Sequence, residues 1–299
     1  KKKKKSIECQ YKHPTLKHTR ETEFMYQSYW NLKSGPFEEK MDASFFYDSN
    51  PHQAGLLKLE YLIENSKGAG LLVGGSGLGK SYLCHVLKSQ LAEIYQPFVH
   101  LVFPQLSPIE LISYLAVELG AEEAGIEPLV PGKDRIVRAL HRQLQLLCEQ
   151  GYKPVIVIDE AHLIVDQRIF ETLHQLLNFQ QTSDIDFTLL LVGDQLLLSH
   201  LQRSSQLDNR IAVRCLLKSF SEEETQSYVE HRLQVAGRSE PVFTPEAFQT
   251  LFELTQGNPR KINRLCVLGL LVCYADELSL ITSDVLEAVA EELVTSIPD

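Results

Sequence analysis

The sequence predicts an α/β fold: a parallel sheet with helices on both faces, followed by a small all-helical unit. Three observations carry that prediction. Apolar runs of strand length alternate with helix-period segments as far as about residue 218. Beyond that point helical segments succeed one another without strands. The first apolar run also passes into a glycine-rich turn that opens a helix.

Taken in order, residues 1–24 are polar, basic and aperiodic, and read as a tail. Tyr26, Tyr29, Trp30, Phe37, Phe45, Phe46 and Tyr47 then crowd into residues 25–50. So much aromatic surface predicts that this entry segment packs onto the α/β unit that follows. Helix 52–65 leads to strand 69–74, helix 80–95 and strand 98–103. Helices 108–119 and 134–150 flank a loop containing Gly and Pro. Strand 155–158 is four β-branched residues after Pro154, the mark of a strand buried on both faces. Helix 168–180, strand 187–192, helix 195–202 and strand 212–217 complete the sheet. Helices 222–235, 245–255, 259–274 and 284–294 follow. Ser221 with Glu224 spells a capping box, and Thr244-Pro245 and Asn258-Pro259 each place an N-cap before Pro. The expected division is a tail (1–24), an α/β domain with its aromatic entry (25–218) and a helical lid (219–299).

With 44% apolar and 23% charged residues, the 299-residue chain is neither disordered, fibrous nor a disulfide miniprotein. Its net charge is −10, but the first 24 residues hold eight Lys/Arg against three Glu, which leaves the rest at −15. An acidic body argues against coating nucleic acid by bulk charge, although a local basic stripe remains compatible with it. The six cysteines show no CxxC spacing, so they suggest neither a zinc site nor a redox pair and fit a reducing, cytoplasmic setting. The apolar run 265–275 is too short to span a bilayer, and no apolar leader follows the lysine-rich start. The chain opens on lysine, and Met25 is a candidate start.

Gly74, Gly75, Ser76, Gly77, Leu78, Gly79, Lys80 and Ser81 satisfy GxxxxGK[ST] between a strand and a helix. Glycines let successive N–H groups approach phosphate oxygens, and the helix N-terminus adds partial positive charge. Lys80 is expected on the β/γ-phosphates of ATP, Ser81 on Mg²⁺, and Tyr82 follows among the nucleotide contacts. Asp159 and Glu160 end the buried strand 155–158, at the sheet edge where ligands bind. Asp159 is expected to hold Mg²⁺ and Glu160 to polarise the attacking water. Together these describe a P-loop NTPase. Asp159 to His162 also spells DEAH, but a helicase of that kind needs two tandem α/β domains. His162 reads as a helix-surface residue, with orientation of Glu160 as the alternative.

The combination resembles an AAA+ ATPase, and within that class the general secretion pathway protein A (ExeA-type) family, which is related to ATPases of transposition systems. The resemblance rests on Tyr29-Trp30-Asn31-Leu32 with Pro36-Phe37, Phe46-Tyr47 and His52. It rests further on Gly193-Asp194-Gln195-Leu196, on Leu207-Asp208-Asn209-Arg210-Ile211, on residues 217–237 and on 257–263. It implies that Asp194 senses the γ-phosphate or positions water, where the family more often has an amide. It implies that Arg260 carries lid angle to the phosphates and that Arg210, with Arg203 as competitor, acts on a neighbouring subunit's ATP. Segment 45–57 is expected to line the adenine pocket. Envelope members continue into a membrane span and a peptidoglycan-binding part; this chain stops after the lid, as a piece or a stand-alone ATPase.

Two functions fit. One is a homo-oligomeric ring or filament that hydrolyses Mg-ATP to remodel or license a protein complex of the secretion or envelope type. The other is a DNA-binding ATPase regulator of the transposition target-selection type. Arg135, Arg138 and Arg142 recur at helical spacing and could follow a phosphate backbone or form a solvated face.

Overall fold

Val155–Ile158 is buried throughout because consecutive side chains enter opposite layers. Ile156 and Ile158 join one core beneath the sheet, while Val155 and Val157 join another above it. The same alternation divides Leu71 from Leu72 in β1 (Ala69–Val73) and Leu189 from Leu190 in β4 (Thr188–Gly193). β2 (Phe98–Leu101), β3 (Val155–Ile158) and β5 (Ile211–Leu216) complete a parallel sheet in the order β2-β3-β4-β1-β5. The computed structural model describes residues 26–38, 41–121, 132–182 and 184–295. The basic tail 1–24 and Met25 lie outside them.

This order has a direct consequence for the site. β3, β4 and β1 are neighbours, so the chain leaving each of them emerges side by side at the carboxyl edge. α1 (Asn50–Glu64) and α2 (Lys80–Gln90) cover one face. α3 (Pro108–Glu118), α4 (Lys133–Glu149), α5 (Gln167–Leu177) and α7 (Leu196–Arg203) cover the other, with the short α6 (Phe179–Thr182) and α8 (Ser205–Asp208) between them. α2 is shorter than the expected 80–95. It stops at Leu91, whose extended backbone lets Leu91 and Tyr95 turn back onto the core.

The last four helices are α9 (Glu222–Val235), α10 (Pro245–Thr255), α11 (Pro259–Ala275) and α12 (Ser283–Thr295). All three expected caps form. Ser221 and Glu224 exchange bonds at 3.1 and 2.9 Å, Thr244 accepts from the Ala247 N–H, and Asn258 accepts from the N–H groups of Arg260 and Lys261. Each such cap contributes about 1 kcal/mol. Among the described residues no helix is long and apolar enough to cross a membrane.

The aromatic entry segment meets the sequence expectation only in part: Phe46 packs on the α/β core and against Tyr82, as expected, but the earlier aromatics do not. Tyr26, Trp30, Leu32 and Phe37 are buried among the C-terminal helices, not against the sheet. Trp30 donates from Nε1 to the Leu270 carbonyl at 3.1 Å, and Lys33 N–H donates to the Ala236 carbonyl at 2.8 Å. The physical reason is surface supply. The sheet faces are already covered by helices, whereas four short helices leave an apolar flank that the aromatic residues fill.

Trp30→Ala removes a fully buried indole and should cost about 3–5 kcal/mol of unfolding free energy. Urea denaturation followed by far-UV circular dichroism checks this. A loss below about 1 kcal/mol, the range of surface changes, would place the entry segment outside the helical core.

Candidate active site

Gly74 to Gly79 form a loop in which four of six residues are glycine, so its backbone polarity must be met largely by other elements. Each carbonyl from Gly74 to Gly79 is claimed. Lys80 Nζ donates to those of Gly74 and Gly75 at 3.0 and 3.1 Å. Asn258 Nδ2 holds that of Ser76 at 2.8 Å, and Arg260 N–H that of Gly77 at 3.3 Å. His52 Nε2 holds that of Leu78 at 2.9 Å, and Leu83 N–H that of Gly79 at 2.8 Å. The Gly74 N–H donates to the Gly193 carbonyl at 3.1 Å; with the carbonyls engaged, the N–H groups that follow it are left to serve an anion. Gly77 and Gly79 have φ of +80° and +85°, and a Cβ on Gly77 would lie 2.7 Å from Asn258 Oδ1.

Across the cleft, Ser81 Oγ donates to Asp159 Oδ2 at 2.7 Å, and His100 Nε2 approaches the same oxygen at 3.1 Å. Burial acts to raise the Asp159 pKa, but bonds from His100, Ser81 and the Glu160 N–H outweigh it, so the carboxyl is held below its usual range. A hydroxyl beside a carboxylate is a donor set suited to a hard dication such as Mg²⁺. No group of three or more His, Cys, Asp or Glu placed to hold a metal ion occurs among the described residues, so such an ion would take its other ligands from phosphate and water.

Glu160 follows with φ +50°, a left-handed turn that starts the 3-10 segment Ala161–Leu163. This turn sets His162 inside the cleft and corrects the surface reading of that residue. Its side chain is 15% exposed, and Nε2 lies 3.5 Å from both Glu160 Oε2 and Asp194 Oδ2. Asp194 lines the same cleft, with Oδ1 accepting from Leu196 N–H at 2.8 Å. Arg260 reaches Ser76 Oγ from the first turn of α11 at 3.3 Å.

The other expected residues divide. Ser76, Gly77, Gly79, Lys80, Ser81 and Tyr82 line the cleft, while the Leu78 side chain is buried in the core above the sheet. Tyr82 OH donates to the Asp42 carbonyl, and burial pushes its pKa up to about 12. Segment 45–57 contributes less to the cleft than expected. Its far end is lined by Glu38, Met41, Tyr228, Arg232 and Asn263. Arg210 stands at the opposite, amino edge of the sheet. It precedes Ile211, which pairs with Ala69 at the start of β1, and its Nη2 donates to the Leu177 carbonyl at 2.9 Å. Arg203 is exposed at the end of α7.

Sequence reasoning missed His100 and did not single out Arg232. His100 is a polar residue near the end of a strand beside β3, a signal that exists but is weak. Arg232 is 5% exposed, and among the described residues it bonds neutral partners: the carbonyls of Pro36 and Glu38, and Tyr228 OH. Its guanidinium lies 4.9 Å from the Phe45 ring centre.

The sheet order, the phosphate loop and the acidic pair after β3 define a P-loop protein with the AAA+ fold. A family model described as an AAA domain matches residues 63–201, and ATPase activity is a general property of that class. The chain is 30% identical over 257 residues to General secretion pathway protein A of Aeromonas hydrophila, and so resembles an AAA+ ATPase of that type. The alignment covers 84% of this chain and 45% of that protein, so the chain spans about half the length of its curated relative. Among solved structures, Cdc6p from Pyrobaculum aerophilum matches with TM-score 0.64 at 16% identity, over 86% of this chain and 74% of that one. The Aeropyrum pernix ORC2 protein matches with TM-score 0.63 at 14% identity, over 86% and 72%. A Thermotoga maritima RuvB variant matches with TM-score 0.55 at 21% identity, over 83% and 70%. These three likenesses concern the fold alone.

His52 is the strap between α1 and the phosphate loop, with Nδ1 paired to Ser49 Oγ at 2.7 Å. Burial lowers its pKa, so the unfolded chain takes up this proton before the folded protein does. The stability it contributes is therefore full above the ordinary histidine value of 6.5 and declines as pH falls through it. His231, lowered first by burial and then by Arg232, acts in the same direction. His52→Ala should cost about 1–3 kcal/mol at neutral pH and flatten the acid decline. Urea midpoints measured at several pH values check both, and an unchanged slope would count against the strap.

Proposed function

We propose that the protein binds Mg-ATP and hydrolyses it in an assembly-dependent way, to remodel or license a protein complex of the secretion or envelope type. The observation that carries this is the Ser81–Asp159 oxygen pair, 2.7 Å apart and facing the Lys80 loop, with Glu160 beside it at the same sheet edge. In this reading Lys80 moves from its two loop carbonyls to the β/γ-phosphates. Ser81 and Asp159 would hold Mg²⁺, which would supply charge neutralisation for those phosphates. Glu160 accepts a proton from water as the water oxygen bonds to the γ-phosphorus and the bond to the β–γ bridging oxygen breaks. Arg260 links the lid to the loop. The lid unit is taken as residues 219–295 together with the entry residues 26–37 packed into it. A cytoplasmic setting belongs to the same reading.

Arg210 cannot serve its own cleft from the amino edge of the sheet, which supports a role on a neighbouring copy. A second reading, DNA-dependent regulation, has one observation in its favour. Arg135, Arg138 and Arg142 are exposed on α4 and carry no ion pair with a described carboxylate. ATPase rate with and without double-stranded DNA, alongside particle size with a non-hydrolysable analogue, separates the two. Growth in size without DNA favours the first, and a salt-sensitive rate increase with DNA favours the second.

Lys80→Ala should abolish detectable ATP binding by calorimetry, and normal affinity in this variant would remove the phosphate site. Glu160→Gln should keep ATP and lose turnover by about 100-fold or more, the scale of a general base, read by phosphate release. Arg210→Ala should bind ATP yet lose about 10³-fold in rate. Mixing it with Lys80→Ala subunits should restore part of that rate; co-assembly without rescue would rule against action in trans.

A further inference from the structure

We propose that His162, not Asp194, supplies the hydrogen-bond donor that reads the terminal phosphate, with Asp194 as its anchor. This rests on the nucleotide-hydrolysing reading above and names the residue that distinguishes triphosphate from diphosphate.

The argument starts from donor chemistry. A carboxylate offers only acceptors, and so do phosphate oxygens, so the Asp194 side chain has no bond to give them and repels their charge. Asp194 Oδ1 is in any case engaged by Leu196 N–H at 2.8 Å at the start of α7. On this wall of the cleft the imidazole is the donor. Asp194 N–H points to His162 Nδ1 at 3.4 Å, so Nδ1 accepts and the proton of the neutral ring sits on Nε2. That N–H stands 3.5 Å from each of two carboxylates, Glu160 Oε2 and Asp194 Oδ2.

The ring is placed by the backbone. The left-handed turn at Glu160 carries the chain toward the end of β4. There a Cβ on Gly193 would lie 3.2 Å from His162 N and 2.9 Å from Leu197 Cδ2, so the two segments approach closely with little room for a side chain between them. The ring is 15% exposed, while the carboxylates are 43% and 38% exposed and have room to swing. Without a terminal phosphate, His162 Nε2 stands between Glu160 and Asp194, 3.5 Å from a carboxylate oxygen of each. A phosphate oxygen that takes this N–H frees Glu160 to turn to water, so the donor that senses the triphosphate also releases the base.

The test uses the full chain with His162→Ala, His162→Gln, and His162→Ala combined with Asp194→Asn. ATP and ADP affinities are measured by calorimetry and turnover by phosphate release. His162→Ala should leave ADP affinity unchanged, lose about 10-fold of the preference for ATP and lose about 100-fold of turnover, the scale of a missing transition-state donor. His162→Gln keeps an N–H and should retain most turnover. Asp194→Asn in the alanine background introduces an amide donor and should restore about 10-fold. Wild-type turnover and ATP preference in His162→Ala would overturn the proposal, as would a double variant no faster than the single one. A purely structural histidine would instead weaken both nucleotides alike without amide rescue. If the wild-type protein takes up no Mg-dependent ATP, it is the nucleotide reading that falls, and the unmodified chain reveals this first.

Discussion

The phosphate loop is the constraint on which the rest depends. A turn made mostly of glycine cannot hold its own shape, because it has few side chains to pack and much backbone entropy to lose. Here the shape is imposed from outside by carbonyls bonded to three separate elements: α1 through His52, the loop's own helix through Lys80 and Leu83, and the lid through Asn258 and Arg260. The lid bonds connect residues about 180 positions apart in the chain. The position of α11 and the order of the loop are therefore coupled through these bonds. A displacement of α11 strips hydrogen bonds from Ser76 and Gly77.

The same cleft balances charge in a particular way. Asp159 stays ionised in a buried place because three donors face it. Glu160 and Asp194 are more exposed, one imidazole stands 3.5 Å from both, and Asp194 also accepts from the Leu196 N–H. At the other end, Arg232 is a buried cation that, among the described residues, is satisfied by carbonyls and aromatic faces instead of a carboxylate. It binds the entry segment to α9, and the ring of Trp30 extends that attachment into the helical core. Any motion of the lid carries the entry segment, and with it the Glu38 side of the cleft.

Most of the sheet and the catalytic loop were legible in the chain. β-branched runs, N-caps and the GxxxxGK[ST] spacing act through neighbours within a few residues, so their consequences appear in local sequence. Helix ends were less so. α2 stops early because Leu91 and Tyr95 find a partner in the core, which no local rule encodes. His162 was misread for a related reason. A histidine after an acidic pair has no local signature of burial, and its position follows from the approach of a turn to Gly193, about thirty residues away.

The sequence by itself determined which strands are buried, where the phosphate loop lies and which acids end β3, because those properties follow from side-chain type and short-range spacing. The tertiary structure decided that the aromatic entry joins the lid, that His100 and His162 face the acids, that Arg232 closes the far end of the cleft and that Arg210 stands on the opposite edge. Each of these depends on contacts between segments remote in the chain. Their partners are selected by strand order and by which apolar surface remains uncovered once the sheet is packed.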